Sequence, residues 1–360
     1  MGKSKKIAII GTVGLPAKYG GFETLADNIV LYAETNFSNE YEITVYCSAP
    51  HYDTKIDEYH GARIVYSNFR ANGVQSIIYD MISCIHAILS GNKKLLVLGV
   101  SGSIIFPFIR LFSSVEIITN VDGIEWRRSK WKSFSKYFLK FSEKIAVFYS
   151  TKLIADNKGI SDHIINTYGK SPSVIAYGGD NALRVSKKQN KIKIPIEIYA
   201  LALCRIEPEN NVEMILNAFE RVSLPLVFIG NWNKNEFGER MRRRYGAVNN
   251  IELLDPIYDA DTLFAYRENA LIYIHGHSAG GTNPSLVEMM FMRKPILAFD
   301  CNFNRYTTAN LCSYFTNSEE LISKIDSNDT FGSGDDLFQE AQRNYRWDKI
   351  AKQYFELIAQ

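Results

Sequence analysis

The sequence predicts an α/β protein of two doubly wound domains, each built on a parallel sheet. Three observations carry that prediction. At 360 residues the chain exceeds the usual size of one domain. Short runs of β-branched and other apolar residues alternate with longer helical patterns almost from end to end. The alternation then restarts after a polar, lysine-rich stretch at residues 181–193, the candidate linker.

In the first half, residues 7–10 read as a buried strand and 23–35 as an amphipathic helix. Strands follow at 42–47, 62–66, 95–98, 115–119 and 153–155, with helical stretches between them. A strand covered on both faces has no polar side to alternate, so continuous apolar runs of this kind imply a parallel sheet between helices. The second half opens with a strand at 198–203 and a helix at 212–221. Further strands are expected at 226–229, 251–253, 271–274 and 295–298, the last preceded by a helix at 284–292. Trp347, Ile350, Tyr354 and Leu357 recur three or four residues apart and predict a final amphipathic helix. The expected domains are residues 1–180 and 190–345, with 346–360 crossing back to the first. Open α/β sheets bind ligands at the C-terminal ends of their strands. The expected site is therefore a central cleft that the two domains face.

Composition narrows the function classes. Apolar residues make up 46% of the chain and charged residues 22%, as in ordinary globular proteins. A formal net charge of +2 gives no reason to expect nucleic acid as a partner. The five cysteines (Cys47, Cys84, Cys204, Cys301 and Cys312) are sparse and lack zinc-ligand spacing, which suits a reducing compartment and buried thiols. The apolar run at 7–10 is too short for a secretory signal. No stretch approaches the ~20 apolar residues of a spanning helix. The expected location is cytoplasmic, with any membrane contact peripheral.

Charge is uneven, however. Seven basic residues lie between Arg127 and Lys144, against the single acid Glu143, and are interleaved with Trp131, Phe134, Tyr137, Phe138 and Phe141. A basic, aromatic segment suits an anionic membrane surface, where each cation contributes roughly 1 kcal/mol. An ordinary helix with one core face and one solvated basic face fits the same pattern.

Three loops carry the chemistry. Residues 11–23 follow the first strand, open the first helix and include Gly11, Gly14, Gly20 and Gly21. Glycines there let backbone N–H groups approach an anion, although the loop matches neither the dinucleotide fingerprint nor the P-loop. Residues 275–288 run from His275 and His277 through Gly280, Gly281 and Thr282 to Asn283, Pro284 and Glu288. Asn283 suits a helix N-cap and Pro284 a first helical position, so free N–H groups would face the glycines. Two histidines two residues apart without a third ligand point to loop or packing roles rather than a metal site. Arg205 stands just after the strand at 198–203, where its guanidinium can grip a phosphate oxygen pair.

Taken together and in this order, the loops resemble those of the retaining glycosyltransferases of family 4, which have the GT-B fold. The resemblance runs over nearly the whole chain and is greatest to a bacterial subgroup of polysaccharide rhamnosyltransferases. The strings at 16–24, 121–126 and 275–278 carry it. It implies that Arg205 holds the donor diphosphate and that Glu288 binds the ribose or deoxyribose. It implies that Gly280, Gly281, Thr282 and Asn283 meet the sugar and β-phosphate, and that Gly20 and Gly21 close on the phosphate. Asp122, in a loop after the strand at 115–119, is the candidate for orienting the acceptor or stabilising the ring, and an Asp-Gly turn explains it equally. Trp126, Arg127 and Arg128 are the candidates for the acceptor or membrane side.

Two departures stand out. Where most members of that family carry a lysine, this chain has Asn210, and where they carry a first glutamate it has Gly280. The implied partners are a nucleotide sugar, first choice dTDP-L-rhamnose, and a saccharide acceptor on polyprenyl diphosphate at the inner membrane surface. UDP- or GDP-sugars are alternatives, as is a non-catalytic sugar-nucleotide-binding subunit. No cofactor or metal is expected, since Arg205 and helix N-termini can supply the charge. An NAD-dependent enzyme is disfavoured by the missing fingerprint.

Overall fold

A computed structural model describes residues 4–17, 20–37, 40–124, 126, 133–184, 194–327 and 331–360. The chain forms two compact units, one of Met1–Ala176 with Asp348–Gln360 and the other Tyr177–Trp347.

The first unit holds β1 (Lys5–Ile10), β2 (Tyr41–Ser48), β3 (Glu58–Tyr59), β4 (Ala62–Ser67), β5 (Lys94–Leu98), β6 (Glu116–Asn120), β7 (Lys152–Ala155) and β8 (Ser173–Val174). Their order across the sheet is β3-β4-β2-β1-β5-β6-β7-β8. Every pairing is parallel except β3 with β4, a short antiparallel hairpin at the edge. An all-parallel sheet was the expectation; the tight turn at His60 and Gly61, both at positive φ, reverses the chain instead. Buried Ile7, Ala8, Ile9 and Ile10 make β1 the centre of the core. The helix Trp347–Ala359 completes this unit. Its buried Tyr354 meets Asn120 Nδ2 at 2.8 Å, and Lys94 and Lys152 donate to the carbonyls of Ile358 and Leu357.

The second unit holds β9 (Ala200–Leu203), β10 (Leu226–Ile229), β11 (Ile251–Leu254), β12 (Ile272–His275), β13 (Ile296–Phe299) and β14 (Ser313–Phe315). The order β11-β10-β9-β12-β13-β14 is parallel throughout. Its core packs Phe219, Phe228, Trp232, Tyr245 and Phe315 around β9 and β10.

Both sheets reverse direction beside their first strand. The crossover runs left from β1 through β2 to β4 and right through β5, and likewise from β9 left through β10 and right through β12. The loops after β1 and β5, and after β9 and β12, therefore flank the two switch points, where sheets of this type leave a crevice.

Several boundaries differ from the sequence reading. The strand expected at 271–274 lies one residue later and takes in His275. The helix expected to reach 292 is Pro284–Met290, and that expected to reach 221 is Val212–Phe219. Arg293, at φ 56, turns the chain before Pro295 can continue it. The start of the expected linker is ordered: Asp180–Leu183 is a helical turn. The rest of it, 185–193, lies outside the described residues.

Candidate functional site

The loops after β9 and β12 are bound to each other at several points. Ser278 donates from its backbone N–H and its hydroxyl to Glu209 O, at 2.9 and 2.8 Å. Asn211, in the left-handed region at φ 50, donates from Nδ2 to Gly276 O at 2.8 Å. Asn304 donates from Nδ2 to His277 O at 2.8 Å. Gly276 allows this approach, because a β-carbon there would stand 2.2 Å from Asn210 O.

Asn210 is at the middle of the join and is buried. Its Nδ2 donates to Arg205 O at 2.6 Å, and its Oδ1 lies 2.7 Å from His277 Nδ1. The position read as a lost cation is thus occupied by an amide that fixes the course of both loops. Arg205 keeps a side chain 39% exposed, with Nε 3.9 Å from Glu207 Oε2, beyond hydrogen-bond distance. Its guanidinium is not held by a close ion pair with that acid.

Asn283 caps the helix Pro284–Met290 by accepting from Ser285 N at 3.0 Å, with Pro284 at its start. Gly280, Gly281 and Thr282 are buried in the turn before it, and Gly280 has φ 136, a conformation that favours glycine. A β-carbon on Gly280 would also stand 2.8 Å from His277 Nε2. The two departures from the family pattern, Asn210 and Gly280, therefore meet on opposite nitrogens of one imidazole.

Glu288 is engaged on both oxygens. Arg267 Nη2 pairs with Oε2, and Asn181 Nδ2 donates to Oε1 at 2.9 Å. Asn181 also accepts from Trp347 Nε1 at 2.8 Å. Neither Arg267 nor Asn181 was marked by the sequence pattern. Tyr273, buried beneath this end of the sheet, donates to Leu203 O at 3.1 Å. Burial pushes its hydroxyl far up from the ordinary tyrosine range, opposed by Arg267, so it stays a donor. His275 is buried too; burial alone pushes its pKa down to about 3, and its Nε2 has no hydrogen-bond partner among the described residues.

The remaining candidates belong to the first unit. Gly20 has φ 133, and its backbone lies against the Glu23 carboxylate, leaving no room for a β-carbon. Glu23 is buried and accepts from Val13 N at 2.7 Å and Thr12 Oγ1 at 3.2 Å. Burial raises its pKa against these bonds. Gly21 begins the helix Gly21–Phe37; the intervening Lys18 and Tyr19 lie outside the described residues. Asp122 adopts φ 63, a strained value for a residue other than glycine, and donates from its N–H to Asn120 Oδ1 at 3.0 Å. Trp126 donates from Nε1 to the buried Glu143 at 3.1 Å, with Lys140 Nζ 5.2 Å from its ring centroid. Arg127 and Arg128 lie outside the described residues, as do Lys130, Trp131 and Lys132.

Residues 4–180 match the profile of a domain of unknown function, DUF1972. No curated protein sequence matches the chain. Among solved structures, sucrose-phosphate synthase from Thermosynechococcus elongatus is similar at a TM-score of 0.81 and 12% identity, covering 99% of this chain and 98% of that one. HepE from Anabaena, solved with UDP-glucose, is similar at 0.72 and 11% identity, covering 98% and 99%. AviGT4, a glycosyltransferase involved in avilamycin A biosynthesis, is similar at 0.63 and 14% identity, covering 98% and 96%. With two doubly wound sheets, parallel but for the β3 edge, and these neighbours along its full length, the chain has the GT-B fold.

Proposed function

We propose that the chain is a retaining glycosyltransferase that takes a sugar from a nucleotide donor, with L-rhamnose from dTDP-rhamnose as first choice. The acceptor in this reading is a lipid-linked saccharide of capsule, O-antigen or cell-wall polysaccharide synthesis. The observation that carries it is the convergence of a loosely paired arginine, Arg205, and the capped glycine turn 280–283 on one switch point. UDP- and GDP-sugars are the alternative donors, and the UDP-glucose held by HepE favours the first of them.

Cleaving the bond between sugar carbon and diphosphate builds negative charge on the leaving group and oxocarbenium character on the ring. Preorganised positive groups at the diphosphate are the main protein contribution. Arg205 supplies a full charge, and N–H groups at the start of the helix Pro284–Met290 supply dipoles. The helix has only seven residues, so Arg205 carries most of the work. The reading needs no metal or cofactor. Retention follows if the acceptor attacks on the face that the diphosphate leaves, with the leaving phosphate taking its proton. Asp122 is assigned to orient the acceptor or stabilise the ring, and Gly20 and Gly21 to meet the phosphate from the first unit. Glu288, held by Arg267 and Asn181, still has lone pairs for the ribose hydroxyls.

Calorimetric titration with dTDP-rhamnose, UDP-glucose and GDP-mannose tests the donor. One of the three is expected to bind selectively, and Arg205→Ala is expected to weaken it about 10–100-fold, the value of a charge-assisted contact. Silence toward all three would sink the reading. Donor binding without turnover on any acceptor would favour a sugar-nucleotide-binding subunit, a reading motivated by the absence of a cation at Asn210.

Peripheral membrane contact belongs to the same proposal. Phe108, Leu111 and Phe112 on the helix Phe106–Phe112 are more than half exposed, as are Tyr137 and Phe141 on Ser133–Tyr149, which packs beside it. Lys136 and Lys140 stand among them. Sedimentation with anionic phosphatidylglycerol vesicles is expected, with little on phosphatidylcholine, and the pair Leu111→Glu and Phe112→Glu is expected to reduce it at least fivefold, on the order of two lost apolar anchors. Equal recovery on both lipids would remove the membrane from the account. No helix among the described residues is long and apolar enough to cross a membrane.

A further inference from the structure

We propose that the outer face of the helix Gln75–Leu89 docks a second copy of this chain, the two helices packing antiparallel about a two-fold axis near Ile82.

This helix carries its larger aliphatic residues on the outside. Tyr79, Asp80, Ser83, Cys84 and Ala87 are buried against the first unit. Val74 at the N-cap, Ile78, Ile82, Ile85 and Leu89 stand outward, each between 43% and 82% exposed. Residues three and four apart are neighbours on a helix surface, so the five form one row. A single exposed isoleucine needs no explanation, but a continuous apolar row marks an interaction surface. The other exposed residues of the helix are Gln75 and His86.

Charge selects the occupant. No lysine or arginine occurs between Arg70 and Lys93, and the one carboxylate there, Asp80, is buried. Helices that lie in an anionic membrane surface draw on lysine and arginine along their polar face. Lys136, Lys140 and Lys144 offer that on the helix Ser133–Tyr149, whereas Gln75–Leu89 has no cation to offer. A neutral apolar row is best matched by another of its kind.

The row is also complementary to itself. Its members lie 4, 4, 3 and 4 residues apart, nearly the same spacing from either end. In an antiparallel pair Val74 meets the partner's Leu89, Ile78 the partner's Ile85, and Ile82 its own counterpart. Every side chain of the row then faces an apolar one, the isologous arrangement of a closed dimer. At their observed exposures the five residues present about 500 Å² per copy, so a pair covers on the order of 1,000 Å², the area a specific interface requires.

Sedimentation equilibrium of the whole chain across the micromolar range is expected to show a rise from the monomer mass to twice that mass. Ile82→Lys brings two ammonium groups together at the axis and is expected to weaken dimerisation about 100-fold or more. Its urea unfolding midpoint, taken at a concentration where both proteins are monomeric, should match wild type, because Ile82 faces outward. A short bismaleimide should cross-link Ile82→Cys into a dimer well above the wild-type background. It should leave Val74→Cys monomeric, since in an antiparallel pair that residue lies about 20 Å from its own counterpart. An Ile82→Lys variant that dimerises like wild type, or equal cross-linking at both positions, would overturn the proposal. So would a wild type that stays monomeric throughout; loss of its sedimentation with phosphatidylglycerol vesicles in Ile82→Lys would then give the face to lipid.

Discussion

Arg267→Met is expected to lower the unfolding free energy of the second unit by about 3–5 kcal/mol, the range for removing one partner from a buried ion pair. The Arg267 side chain is 6% exposed and that of Glu288 16%. Without the guanidinium, Glu288 retains, among the described residues, the neutral amide of Asn181 as its hydrogen-bond partner while still largely out of water. A carboxylate so placed lacks a cation to offset its desolvation. The double variant Arg267→Met with Glu288→Gln leaves neither charge unpaired, and should recover a large part of the loss. Urea unfolding at neutral pH would measure both. A single variant no less stable than the double would show that the pair contributes little. In the proposed donor reading, Arg267 orients Glu288 without itself meeting the donor. Arg267→Met should therefore also weaken nucleotide-sugar binding at temperatures where the unit remains folded.

The second large effect concerns pH and the first unit. Asp80, on the helix Gln75–Leu89, is 3% exposed, and burial pushes its pKa from 3.8 to about 7 against a hydrogen bond from Ser101. Its Oδ1 has no hydrogen-bond partner among the described residues. Between these values the folded state keeps a proton that the unfolded state has lost. Stability is therefore full below about pH 4 and falls with rising pH until about pH 7, by roughly 1.4 kcal/mol per unit. From pH 5 to pH 8 the loss should reach about 3 kcal/mol. Asp80→Asn should abolish that slope, since an amide has no charge to desolvate. His275 in the second unit has the opposite sign. With its pKa down at about 3, the unfolded state binds the proton first, and stability is lost as pH falls from the ordinary histidine range toward 3. The two units should thus respond to acid in opposite directions. Unfolding followed at pH 5 and pH 8, for wild type and Asp80→Asn, checks this; parallel slopes for the two proteins would exclude Asp80 as the source.

The strands were legible where burial on both faces left continuous apolar runs. Residues 226–229 were bounded as they stand in β10, and β1, β2 and β5 to within two residues. The two-residue strands β3 and β8 left no such mark, because Glu58, Ser173 and Val174 are exposed and one pair of ladder contacts needs no pattern. The cap at Asn283 and the turn before it were readable from residue type alone, since capping and proline chemistry are local. The pairings that shape the site were not. Arg267 and Glu288 are 21 residues apart, and Asn210 and His277 are 67 apart. Contacts at those separations follow from which strands neighbour each other, and periodicity carries no record of them. Asn210 was legible only as a missing charge; its role appears once β9 and β12 lie side by side.

The Asp348–Gln360 segment has a consequence for how the protein is made. The first unit contains residues that leave the ribosome before the whole of the second unit and residues that leave after it. Until Tyr354 arrives, Asn120 Nδ2 lacks the hydroxyl it bonds, and Tyr32, Phe37 and Tyr41 lack the ring of Phe355 against which they pack. The Tyr177–Trp347 unit, contiguous in sequence, has all its residues before then. Vectorial synthesis usually lets domains mature in the order they are made; here the order is inverted, and the domain begun first is closed by a helix made after the second domain.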